Sequence, residues 1–62
     1  MNQDYFAQVG CTESGMFYGQ IKKLIFDNYY VLIGGTQDFT MSGVLHYLHG
    51  HGVPYNNITM EQ

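Results

Sequence analysis

"MFYGQIKKLIF", residues 16–26, fits two templates, and the choice between them decides the fold. Coiled as a helix, it places Phe17, Ile21, Leu24 and Ile25 on one face, with Gly19, Lys22 and Lys23 turned away. That reading leaves Phe26 pointing outward and sets Gly19 in mid-helix, at a cost of about 1 kcal/mol relative to Ala. Extended as a strand, the stretch puts Phe17, Ile21 and Ile25 on one side, interrupted by Lys23, and loads Tyr18, Leu24 and Phe26 on the other. The strand then turns at "DN", residues 27–28, into "YYVLI", residues 29–33, as a hairpin does. We read a hairpin.

"YYVLI" is aromatic and β-branched and stops at Gly34 and Gly35. Both of its faces are apolar, which suits a central strand or one covered by a second subunit. Upstream, "DYFAQV" at 4–9 reads as a short strand ended by Gly10, with "CTESG" as a polar turn. Downstream, "MSGVLHYLH" at 41–49 reads as a helix, because Met41, Val44, Leu45 and Leu48 follow the i, i+3, i+4, i+7 spacing of a buried stripe. Thr40 suits its N-cap, Gly50 the left-handed position at its end, and His49 the negative end of the helix dipole. So short a helix needs a sheet to pack on. "VPYNNITM", 53–60, offers a last edge strand, kept from the centre by Pro54, although "YNNI" can turn instead. The resulting expectation is an α+β fold in one domain spanning residues 1–62: a small antiparallel sheet of three or four strands, in the order β-β-β-α-β, with one short helix across it.

At 62 residues the core is small, since chains of this size bury only about 60% of the surface that the unfolded form exposes. Cys11 is the single cysteine, so no internal disulfide can brace it, and a reducing compartment is the simpler expectation. Six Tyr, four Phe and four Met among few charges favour self-association, and we expect a homo-oligomer. Lys22 and Lys23 are the only basic side chains besides histidine, there is no Arg, and the net charge is -3. Phosphate recognition needs a positive patch and base reading commonly needs Arg, so nucleic acid is not an expected partner. A membrane is not expected either: no basic amphipathic helix can be drawn, and the longest apolar run is far too short to span a bilayer. The opening "MNQDYFAQVG" lacks the pattern of a signal peptide, so a cytoplasmic protein is expected.

"LHYLHGHGVPY", 45–55, gathers three histidines. His46, His49 and His51 with Cys11 form a conceivable zinc set of imidazole and thiolate ligands. The set lacks a second Cys and the H-E-x-x-H arrangement, and helix capping or surface roles account for these residues more simply. Catalysis is equally thin: Cys11 or Ser14 beside a histidine oriented by Asp38 can be drawn, yet no spacing enforces it. "IGGTQD", 33–38, is neither GxGxxG nor GxxxxGK[ST] and has no lysine nearby to meet a phosphate. No enzyme and no cofactor are expected. The tyrosines carry more, because six cannot all be buried in so small a core without stranding hydroxyls. Tyr47 lies off the helix stripe and should be exposed. With Tyr18, Tyr29, Tyr30 and Phe39 it makes the candidate surface for a protein partner. The expected function is that of a non-enzymatic binding protein, a regulator or inhibitor whose economy of size suits a phage- or plasmid-encoded gene. A histidine-ligated metal module and a purely structural oligomer subunit are the alternatives.

Overall fold

A computed structural model describes residues 3–61. The elements are β1 (Tyr5–Cys11), β2 (Phe17–Phe26), β3 (Tyr29–Asp38), α1 (Met41–Gly50), a single 3-10 turn (Tyr55–Asn57) and β4 (Ile58–Met60). Residues 16–26 are thus resolved as extended chain from Phe17 onward, and the hairpin reading holds. The chain is α+β: a four-stranded sheet in the order β3-β2-β1-β4, with the helix packed across β2 and β3.

The hairpin turns at Asp27 and Asn28, where Asp27 takes a φ of 52°. Two-residue hairpin loops need positive φ to match the strand twist, and Asp tolerates it better than most side chains, though less well than Gly. Glycine takes this φ without strain, so Asp27→Gly is expected to stabilise the protein by up to about 1 kcal/mol, the relief of left-handed strain less glycine's greater backbone entropy, read as a rise in the urea midpoint at constant slope. Two bulges bend the hairpin. Ile21 pairs with Gly34 but Lys22 with Leu32, and Leu24 pairs with Tyr30 but Phe26 with Tyr29, so Ile33 and Ile25 are the extra residues.

One side of the sheet forms the core. Ala7 and Val9 of β1 lie opposite Ile21 and Gly19 of β2, and Val44 and Leu48 of α1 with Val53 complete a buried cluster. Gly19 is required here: a Cβ on it would stand 2.9 Å from Val44 Cγ1 and 3.2 Å from Leu48 Cδ1. The glycine that argued against a helix is thus the place where α1 sits down on the sheet. Thr40 caps α1 as expected, accepting from the Gly43 N–H at 3.1 Å. The C-terminal end differs from expectation. The helix continues through Gly50, His51 is the C-cap, and Gly52, at φ 93°, takes the left-handed position.

The last strand also departs in direction. β1–β2 and β2–β3 are antiparallel, but β4 runs parallel to β1, pairing Ala7 with Ile58 and Val9 with Met60, so the sheet is mixed. After β3 the chain traverses the sheet as α1 and returns at the far edge in the direction of β1, which a crossover permits and a hairpin does not. No helix among the described residues is long and apolar enough to cross a membrane.

Candidate functional site

The helix covers one side of the sheet, and the opposite side is open. Phe6, Tyr18, Lys22, Leu24, Tyr30 and Leu32 stand on that open side, as the pairing of Phe6 with Lys22 and of Lys22 with Leu32 requires. Phe6 and Tyr30 meet edge to face across β2 at 5.5 Å, with the Lys22 ammonium donating to Gln8 Oε1 at 3.3 Å in the same shallow cleft. Beyond β1 the hairpin carries its apolar side chains into solvent: Ile25, Phe26, Tyr29, Tyr30, Leu32 and Ile33 are all exposed. Phe26 and Tyr29 pack ring to ring at 5.5 Å near the tip.

The expected contact residues divide accordingly. Tyr29 and Tyr30 belong to this hairpin surface. Phe39 is 79% exposed, just past the other end of β3. Tyr18 is half-buried at the far end of the open side, where its hydroxyl donates to Glu61 Oε2 at 2.8 Å. That bond raises the phenol's pKa above its ordinary value, with smaller contributions from desolvation and from the electrostatic influence of Glu61 and Cys11. Tyr47 is not exposed as expected: it is half-buried, flanking the core, with its ring 4.2 Å from that of His51. The helical wheel assumes one flat buried side. The helix runs on to its C-cap at His51, four residues past Tyr47, so the two rings lie one turn apart on the same face and pack together.

Ile25, Phe26, Leu32 and Ile33 were absent from the expected surface. For Leu32 and Ile33 the signal is present, since both faces of residues 29–33 are apolar, but it suits a central strand as well as one covered by a second subunit until the topology shows β3 at an edge.

The histidines have other neighbours than a metal. His49 stacks on Tyr55 at 4.4 Å and 8°, His51 lies against Tyr47, and His46 is exposed. Cys11 is an exposed thiol at the end of β1. Among the described residues no group of three or more His, Cys, Asp or Glu side chains is placed to hold a metal ion, so the structure does not gather His46, His49, His51 and Cys11 into a ligand set. Ser14 engages the Thr12 hydroxyl at 2.9 Å, and the Asp38 carboxylate bonds the Thr40 N–H at 3.1 Å at the head of α1. Comparison with protein-family models, curated proteins and solved structures finds no significant match to this chain.

Proposed function

We propose that this chain is a non-enzymatic protein-binding regulator or inhibitor that docks the apolar outer half of its β2–β3 hairpin onto a protein partner. One observation carries the reading. Six large apolar side chains, Ile25, Phe26, Tyr29, Tyr30, Leu32 and Ile33, are exposed together on one projecting element. Contiguous exposed apolar surface rimmed by polar residues marks contact sites in proteins of this size, and exposed rings such as Phe26 and Tyr29 suit hot spots. A regulator of this kind, phage- or plasmid-encoded, acts by occupying another protein's surface.

The test is site-specific photocrosslinking in the producing cells. A photoreactive residue at Phe26 should capture a defined protein, and one at Glu13, in the β1–β2 turn, should not. With that partner purified, Tyr29→Ala is expected to weaken binding roughly tenfold or more. Tyr29 is exposed, so the variant should keep the wild-type circular dichroism. Equal capture from both positions, or an unchanged affinity, removes the hairpin as the docking surface.

A further inference from the structure

β3 presents a contradiction that a second molecule resolves. Its sequence is apolar on both faces from Tyr29 to Ile33, the pattern of a strand buried within a larger body, yet it lies at the edge of the sheet with one line of its backbone groups unpaired. Edge strands are ordinarily guarded by charge, proline or shortness. β4, at the other edge, is three residues long, whereas β3 is ten residues long and carries neither Pro nor any charge before Asp38. The bulge at Ile33 is its one guarding device.

The direction of its free hydrogen-bonding groups follows from the ladder. Leu24 N–H donates to the Asp4 carbonyl, so the even residues of β2 turn their backbone to β1 and the odd ones turn to β3. Gly19, Ile21 and Lys23 therefore engage Thr36, Gly34 and Val31. The intervening residues, Tyr30, Leu32, Gly35 and Gln37, turn their N–H and C=O groups outward. All four carry their side positions on the open side of the sheet, because their β2 partners are Leu24, Lys22, Gln20 and Tyr18.

We propose that β3 pairs antiparallel with β3 of a second copy of this chain, about a two-fold axis at the Ile33–Gly34 bulge, joining the two sheets into one. This rests on reading the hairpin as a contact surface and names its first occupant. One register meets every constraint at once. Leu32 faces Gly35 of the second copy and Tyr30 faces Gln37, each pair repeated by the symmetry, so outward groups meet outward groups and open sides stay together. The same register lays Val31, Leu32 and Ile33 along Thr36, Gly35 and Gly34 of the other copy, bulky against small. A Cβ on Gly34 would have nothing within 4 Å, so the space opposite Ile33 is free. Large side chains across from edge glycines are a recognised way of pinning strand register.

Tyr29 and Tyr30 of the pairing strand are 55% and 42% exposed, and at about 150–250 Å² to a ring they leave roughly 150–240 Å² per chain open. Leu32, Ile33 and the strand backbone add to this along the seam, toward the 1,200–2,000 Å² that stable interfaces bury in total. Charge permits it too. The chain is acidic, but Asp4, Glu13 and Glu61 lie outside the pairing edge, Asp27 is in the turn beyond it, and Asp38 at its end faces Tyr29 rather than another acid. The pairing also brings the hairpin tip of each copy, with Phe26, to the end of β3 where Phe39 of the other projects, so each end of the joined sheet offers aromatics from both chains to a further partner.

The experiment is sedimentation equilibrium of the purified full chain, with three variants. The wild type is expected to be a dimer at high micromolar concentration. Leu32→Lys, which sets a charge in the seam, and Gln37→Pro, which removes an outward N–H, should each raise the dissociation constant roughly tenfold or more with unchanged circular dichroism. Met60→Lys, on the opposite edge strand, should leave it unchanged. A monomeric wild type, or a dimer that survives both β3 variants, overturns the pairing. Oligomerisation needs no other protein, so a monomer whose Phe26 position still captures a foreign partner sinks the dimer and leaves the docking function standing. A dimer that captures none does the reverse.

Discussion

Leu48→Ala is expected to lower the unfolding free energy by about 2–5 kcal/mol, the range for truncating a fully buried aliphatic side chain. Leu48 is among the largest completely buried side chains, and it meets the sheet at Gly19, with Val44 one turn earlier on the same stripe. The helix has ten residues and cannot stand alone, so its two buried contacts, Val44 and Leu48, hold it to the sheet. A core in a chain this small rarely supplies more than about 3–5 kcal/mol. The variant should therefore be largely unfolded at 25 °C, with its near-ultraviolet dichroism lost, and urea titration measures the loss. A decrease below about 1 kcal/mol would mean that α1 does not pack as described.

Gly19→Val tests the same contact from the other side and in the opposite sense of volume. Its Cβ would fall 2.9 Å from Val44 Cγ1 and about as close as 3.2 Å to Leu48, before either γ-methyl is placed. Overpacking of this kind costs about 1–3 kcal/mol in larger cores, where neighbours can yield. Here both neighbours are fully buried on one short helix, so the upper end is expected. In an isolated strand the same change would be stabilising, because valine outranks glycine in strand propensity. The sign of the measured effect therefore decides whether the glycine serves the packing of α1. A Gly19→Val protein more stable than the wild type would exclude that packing.

Local pattern was enough to place most of the elements. Thr40 marked the start of α1, the spacing of Met41, Val44, Leu45 and Leu48 marked its buried side, and "DN" marked the hairpin turn. What escaped depends on partners distant in sequence. Gly50 and Gly52 are both available to end the helix, and which one does so is set by Val53 being drawn into the core, where its N–H meets the Leu48 carbonyl at 3.1 Å. The direction of β4 follows from the helix crossing the sheet, which no property of "ITM" encodes. Tyr47 was misplaced because a wheel treats burial as one-sided, while His51 and the core close on its ring.

The contact surface was half legible. Tyr29 and Tyr30 stand out as aromatic, whereas Leu32 and Ile33 read as part of a central strand or one covered by a second subunit, and Phe26 has no contact role in that reading. Only the sheet order, with β3 outermost, turns their two-sided apolarity from a core signal into a surface one. The histidines show the converse. Their spacing alone favours capping and surface roles over a metal site, and two of the three place their rings against tyrosines at the end of the helix.

The central claim, that the outer edge of β3 is an occupied contact surface, is most directly tested by residue-resolved amide hydrogen exchange of the wild-type protein at low and high concentration. Val31 and Thr36, whose amides face β2, should be protected at both and serve as the internal reference. The amides of Tyr30, Leu32, Gly35 and Gln37 should exchange freely when dilute and become protected as concentration rises. If these four exchange at the same rate throughout while Val31 and Thr36 stay protected, the edge is bare in solution and the account is contradicted.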